Sequence, residues 1–247
     1  MMKADNPVFV ILGAYGGIGA VLCRQLASAG ATVIAAGRDE GKLAILSAEA
    51  GAEPVAVDAT NRTEVEACFA DAFSRYGRLD GAVNLCGSLL LKPAHLTSDA
   101  EWQHTIATSL TTAFHTVSAA AKTMSKGGSV VLVSTAAARI GLANHEAIAA
   151  AKAGVEGLMR SAAATYGAKG LRFNCVAPGL TRTPLTQRIT ANDAALKGSV
   201  AMHAAGRIGE PEDVARMIAW LLDPANTWVT GQVFGVDGGL GTVRTRG

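Results

Sequence analysis

The chain has 247 residues, 49% hydrophobic and 17% charged, with 22 Lys+Arg against 20 Asp+Glu. That apolar content excludes a disordered chain, and a net charge of +2 scattered along the sequence provides no basic surface for nucleic acid or an anionic membrane. Twenty-eight glycines against six Phe, three Tyr and three Trp point to close backbone packing rather than an aromatic core, and no three- or seven-residue period supports a collagen or coiled-coil reading.

In chain order, apolar and mostly β-branched runs at Val8–Leu12, 32–36, 54–57, 81–85, 129–134, 171–176 and 232–236 predict short strands buried on both faces of a parallel sheet. Between them, helices are expected near 17–29, 40–50, 61–76, 98–125, 145–167 and 211–222. Asp39, Thr60 or Asn61, and Ser98 are candidate N-caps, and Pro211 suits a first helical turn. The β-α-β-α order predicts an α/β fold: a doubly wound, Rossmann-type sheet of about seven parallel strands with helices on both faces, in a single domain over 1–247. The long segment 179–206 leaves the carboxyl end of the sixth strand, where open α/β sheets bind ligands, so a lid is expected at about 180–206.

The uncharged stretches 7–23 and 102–121 are interrupted by glycines in the first and by Gln103, His104, Thr105, Thr108, Ser109 and His115 in the second, so neither reads as a bilayer span. Cys23-Arg24-Gln25 stands where a secretory cleavage site would need small residues. Cys23, Cys68, Cys86 and Cys175 never form C-x-x-C and read as reduced thiols of a cytoplasmic protein. No metal site is expected, because His95, His104, His115, His145 and His203 form neither H-x-x-x-H nor H-x-x-E-H.

Gly13-Ala14-Tyr15-Gly16-Gly17-Ile18-Gly19 turns the first strand into the first helix. Gly13 permits the tight turn, Gly17 lets backbone N–H groups approach a pyrophosphate, and Gly19 allows close helix–strand packing. Further on come Asp58 at the end of the third strand, Asn84-Leu85-Cys86-Gly87 after the fourth, and Arg172-Phe173-Asn174-Cys175-Val176-Ala177-Pro178-Gly179 on the sixth. Glu210-Pro211-Glu212-Asp213-Val214-Ala215 and the run from Thr230-Gly231-Gln232 to Val236-Asp237-Gly238-Gly239 close the series. In this order and over nearly the whole chain, the sequence resembles the short-chain dehydrogenase/reductase family.

The resemblance implies a nicotinamide dinucleotide held by the glycine turn, with Asp58 at the adenine and Asn84, Gly87, Pro178, Gly179 and Thr181 along the same ligand. At the end of the second strand a carboxylate would bind the ribose hydroxyls of NAD. Here Gly37-Arg38 stands instead, and the planar guanidinium of Arg38 favours the 2′-phosphate of NADP, with NAD as the alternative. Asp39 beside it reads as a helix cap.

Family members that reduce carbonyls use Tyr-x-x-x-Lys, the tyrosine giving a proton while the lysine binds the nicotinamide ribose and lowers the tyrosine pKa. In the matching segment the lysine is Lys152 but the tyrosine position is Ile148, and no Tyr-x-x-x-Lys exists in the chain. The supporting serine falls on Thr135, with Ser134 adjacent, and the family's helix asparagine falls on Ser109. Three readings follow. The first is an oxidoreductase in which His145 or Glu146 handles the proton, His145 because imidazole titrates near neutrality and Glu146 if burial raised its pKa. The second is a catalytically quiet, NAD(P)-binding subunit with a structural or regulatory role. The third, non-redox chemistry on the same scaffold, has no positive feature behind it. The first is preferred.

Apolar residues at 89–91, 140–143 and 185–189 suit a small or mid-sized apolar substrate, or serve as core and lid packing. Arg182 and Arg188 in the lid either meet an acidic group or stay solvated. The helices near 98–125 and 145–167 carry small residues on more than one face, which permits subunit contact, and the resemblance implies a homotetramer.

Overall fold

The computed structural model describes residues 6–244. The first five residues of the N-terminal stretch considered for a leader, and the ends of the expected 1–247 domain, lie outside them. The elements are β1 (Val8–Leu12), α1 (Gly17–Ser28), β2 (Thr32–Gly37), α2 (Glu40–Ala50), β3 (Glu53–Ala56), α3 (Arg62–Tyr76), β4 (Gly81–Asn84), α4 (Asp99–Ile106), α5 (Thr112–Thr123), β5 (Gly128–Val133), α6 (Glu146–Tyr166), β6 (Leu171–Pro178), α7 (Gln187–Thr190), α8 (Asp193–Met202), α9 (Pro211–Leu222) and β7 (Val233–Val236).

All seven strands pair in parallel in the order β3-β2-β1-β4-β5-β6-β7. The order reverses between β1 and β4, and a crevice opens outside the carboxyl ends of such strands. Side chains alternate across β1: Val8, Val10 and Leu12 enter one core layer with Phe69, Val117, Val155 and Met159. Phe9 and Ile11 enter the other with Leu22, Leu43, Val214 and Ile218. Helices therefore cover both faces.

Burial on both faces holds for β1 and β4 but not for β3 or β7, whose residues are in part exposed. These two are the edges of the sheet, with a neighbour on one side only. Asp39 caps α2 by accepting from the Lys42 N–H at 3.0 Å, and Ser98 forms a reciprocal capping box with Glu101 on α4. Of Thr60 and Asn61, Asn61 caps α3, while Thr60 donates its N–H and hydroxyl to Asp58.

The helix expected over 98–125 runs as α4 and α5, joined without leaving the helical conformation by a wider π turn at Ala107–Thr111. The hydroxyls of Thr105, Thr108, Thr112 and Thr116 donate to the carbonyls four residues earlier, competing with the helical ladder. The segment 179–206 is also ordered: Thr181 bridges to Gly209, and α7 and α8 follow.

Gly19 sets how closely α1 meets the preceding turn. A Cβ there would lie 2.5 Å from the Ala14 carbonyl oxygen and 2.6 Å from that of Gly13. A Cβ at Gly17 would meet only side chains, Thr183 at 2.9 Å and Pro184 at 3.2 Å. Gly19→Ala is therefore expected to destabilise the fold by about 1–3 kcal/mol, with Gly17→Ala well below that because Thr183 and Pro184 can move aside. Urea unfolding midpoints of the two variants check the order.

Candidate active site

Gly13 opens the site. Its φ of +78° is one a side chain rarely adopts, and a Cβ there would sit 3.0 Å from the Leu85 backbone, so the ends of β1 and β4 meet only over a glycine. Gly16 then caps α1 with no side-chain acceptor, and the first turn carries no acidic residue. The first-turn amides are left for an anion, the arrangement that binds phosphate at a helix N-terminus. Gly13, Gly16, Gly17, Ile18 and Gly19 all line a cavity of about 460 Å³ along the carboxyl ends of the strands. Tyr15 packs instead over Gly37, with the Lys42 ammonium 5.5 Å from its ring.

Arg38 is exposed just past β2. The neighbouring carboxylate of Asp39 is already occupied, by the Lys42 N–H and by the Lys42 ammonium at 3.1 Å. Burial opposes ionisation of Asp58, but the Thr60 N–H, the Thr60 hydroxyl and the Arg38 charge outweigh it and hold its carboxyl below the usual range. Asn84 is buried; its amide donates to the Thr116 hydroxyl and its carbonyl accepts from the Cys86 N–H, which pins the loop after β4.

Lys152, on α6, is the buried cation of the site. It donates to the Val133 carbonyl at 2.8 Å and to the Cys86 carbonyl at 3.4 Å. Burial pulls its pKa from 10.5 down to about 8, only partly offset by the nearby Cys86 and Cys175 thiols. A Cβ on Gly87 would lie 3.4 Å from the Lys152 Nζ and 3.7 Å from the Ser109 Oγ, so both groups converge on Gly87. Ser109, in the π turn, is buried and its hydroxyl has no partner among the described residues.

Ser134 and Thr135 differ in what they have left to offer. The Ser134 hydroxyl, also on the cavity wall, gives its hydrogen to the buried Glu156 at 2.9 Å. The Thr135 hydroxyl lines the cavity, makes a long bond of 3.5 Å to the Pro178 carbonyl and accepts the Ala137 N–H at 3.3 Å. Pro178, Gly179 and Thr181 line the same cavity, where β6 passes into the 179–206 segment.

Asn144, at φ +64° in the left-handed region that asparagine tolerates, turns the chain into α6, and its carbonyl accepts from the Lys92 N–H. One residue on, His145 faces the cavity, and Ile148 lines the same wall one turn later. Glu146 is exposed and away from the cavity lining. A second histidine also lines the cavity. His203, at the end of α8, donates from Nδ1 to the Ser199 carbonyl at 2.7 Å and accepts the Leu180 N–H on Nε2 at 3.2 Å. Both its nitrogens are committed. His145 uses only one: Nδ1–H donates to the Ala143 carbonyl at 2.7 Å, and Nε2 has no partner among the described residues.

A family model described as enoyl-(acyl carrier protein) reductase matches residues 13–241. The chain is 39% identical to cis-4-hydroxycyclohexanecarboxylate dehydrogenase of Sinomonas cyclohexanicum, over 96% of this chain and 97% of that one. Among solved structures, a short-chain dehydrogenase/reductase from Mycobacterium ulcerans superposes with a TM-score of 0.93 at 31% identity, covering 99% of this chain and 92% of its own. A single-substitution variant of actinorhodin polyketide ketoreductase, solved with NADPH, superposes with a TM-score of 0.91 at 28% identity, covering 98% and 100%. The chain belongs to the short-chain dehydrogenase/reductase family. It is an oxidoreductase of that type.

Three participants escaped the sequence reading of this short-chain dehydrogenase/reductase. Glu156 anchors Ser134 and is flanked by Arg139 at 3.5 Å and Arg160 at 3.6 Å; only the i, i+4 spacing to Arg160 signalled it. Lys42 was hidden by its ordinary helical setting. His203 carried no local signal, since Leu180 lies 23 residues away.

The depressed Lys152 pKa has a stability consequence with a definite sign. Below pH 8 the ammonium is charged in both states and its burial penalty is fully present. Between pH 8 and 10.5 the unfolded chain binds a proton that the folded chain does not, so stability rises with pH. Relative to Lys152→Met, the wild type is expected to gain on the order of 3 kcal/mol across that window. Denaturant midpoints of both proteins at pH 7.5 and pH 10.5 check it.

Proposed function

We propose that this short-chain dehydrogenase/reductase is an NADP(H)-linked enzyme that interconverts a small ketone and its secondary alcohol, with His145 moving the proton at the place where the family's tyrosine would act. The observation that carries this reading is the valence left on the cavity wall. Of the two histidines lining it, only His145 keeps a ring nitrogen without a partner among the described residues, one helical turn from Ile148.

The residues fit a nicotinamide dinucleotide. The uncapped first turn of α1 suits its pyrophosphate, and the orphan Ser109 hydroxyl with Lys152 at Gly87 suits the ribose and amide of the nicotinamide end. When bound, the dinucleotide supplies a hydride to a carbonyl carbon or takes one from a carbinol. Thr135 orients the carbonyl oxygen from one side. As the carbonyl π pair moves onto oxygen, the Nε2–H of His145 gives it a proton. The neutral imidazole that remains is the Nδ1–H tautomer, which the Ala143 carbonyl already holds, and the half-exposed ring regains its proton from water. Arg38, with Asp39 neutralised by Lys42, supports preference for the 2′-phosphate. The segment 180–206 acts as the lid over this ligand within one domain, supported by the contact of Thr183 and Pro184 with Gly17. The half-exposed Phe114 on α5 and Trp102 on α4 support homotetramer contacts through these helices.

A quiet dinucleotide-binding subunit is the second reading, and Ile148 favours it because an aliphatic side chain has no proton to give. Two measurements test the proposal, the first its cofactor and the second its chemistry. Arg38→Ala is expected to weaken NADPH binding about tenfold or more while changing NADH little, read by calorimetry; equal losses would remove the NADP preference. His145→Ala is expected to lower kcat for ketone reduction by about 10²-fold or more without loss of NADPH affinity, and Glu146→Gln to leave it near wild type. Turnover indifferent to His145→Ala would discard the proposed proton route.

A further inference from the structure

We infer that the substrate is an uncharged ketone with a mainly hydrocarbon body, or the matching alcohol. The inference rests on the redox reading above and deepens it. It is carried by an inventory of the charges and hydrogen-bonding groups around the cavity.

Among the described residues that line the cavity there is no carboxylate and no arginine. The single permanent cation is Lys152, whose ammonium is held by the Val133 and Cys86 carbonyls at Gly87 rather than among the side chains of the lid. The lid arginines do not reach in. Arg182 pairs with Glu210 at 3.3 Å, and Arg188 is exposed and outside the lining. Lys92, near the apolar Leu89 and Leu91, is bound to Glu101 at 2.8 Å. With His203 fully used, Ser134 turned to Glu156, and the Thr181, Thr183 and Thr186 hydroxyls bonded within the lid turn, the side-chain polar atoms left for a substrate are the Thr135, Ser88 and Ser199 hydroxyls and the His145 Nε2. None of them is a carboxylate, an ammonium or a guanidinium.

Most of the remaining wall is hydrocarbon. Leu91, Leu185 and Met202 line the cavity and are 39%, 55% and 45% exposed, so the rim by which a ligand enters is itself apolar. Ala195, Ser199 and Met202 recur at four- and three-residue spacing, so one face of α8 is turned to the ligand. An ionised carboxylate or phosphate placed here would lose its water and gain no counter-charge, which is costly, whereas a hydrocarbon body gains by its burial.

The test uses two ketones of nearly equal shape, 4-isopropylcyclohexanone and 4-oxocyclohexanecarboxylate, which differ in carrying an isopropyl group or a carboxylate. Turnover is followed as NADPH oxidation, and binding of each ketone to the protein–NADP⁺ complex is measured separately by calorimetry. The neutral ketone is expected to have a kcat/KM about 100-fold higher or more, and to bind correspondingly tighter. Leu185→Arg, which places a cation on the exposed rim, is expected to narrow that ratio about tenfold. Equal efficiency, preference for the acid, or a ratio unmoved by Leu185→Arg would overturn the inference. If neither ketone is turned over, calorimetry still decides. Binding of the neutral ketone alone upholds the substrate class and removes the hydride-transfer reading, whereas equal binding of both, or binding of neither, overturns the substrate class.

Discussion

The site is built on a buried ammonium ion that must find carbonyl oxygens. Lys152 reaches from α6 to the end of β5, at Val133, and to the loop after β4, at Cys86. An unpartnered charge at that depth would be prohibitive, so these two bonds fix how α6 lies across the carboxyl edge of the sheet. One turn further along the same helix, Glu156 takes the Ser134 hydroxyl and faces Arg139, which in turn donates to the Val233 carbonyl of β7. Together the two ties bind α6 to β5, β7 and the loop carrying Thr135, and they hold the cavity wall in place without any help from the position occupied by Ile148.

Ile148 sets the character of the wall rather than its scaffold. Ile148 is buried and continues the apolar surface made by Leu142, Leu185 and Ile189. Beside it on the cavity wall stands His145, held in the turn before α6 by the Ala143 carbonyl. A group on a turn is placed less rigidly than one in a helix, so the Nδ1 bond to Ala143 and the left-handed Asn144 matter more here than their modest energies suggest.

The sheet was legible because strands buried on both faces are written as continuous β-branched runs, and β1 was read with its observed ends. The edge strands were located too, but not their exposure, since β3 and β7 owe it to having no neighbour on one side, a property of strand order. The π turn at Ala107–Thr111 was written in the sequence as threonines at 105, 108, 112 and 116, yet each is an ordinary helix residue by periodicity alone. The choice between Thr60 and Asn61 as cap depended on Asp58, which draws Thr60 away.

The amino-acid order alone established the parallel α/β plan, the glycine turn at the mouth of α1, the basic Arg38 after β2 and the loss of any Tyr-x-x-x-Lys. These are local patterns, and backbone sterics and hydrophobic periodicity act over a few residues. Which polar groups remain available to a ligand was decided only by the tertiary structure. Ser134 and His203 are as polar as Thr135 and His145, but their bonds go to Glu156, 22 residues away, and to Leu180, 23 residues away. Hydrogen-bonding capacity is consumed by whatever the fold brings near, so a site's free valences become visible only once distant segments have met.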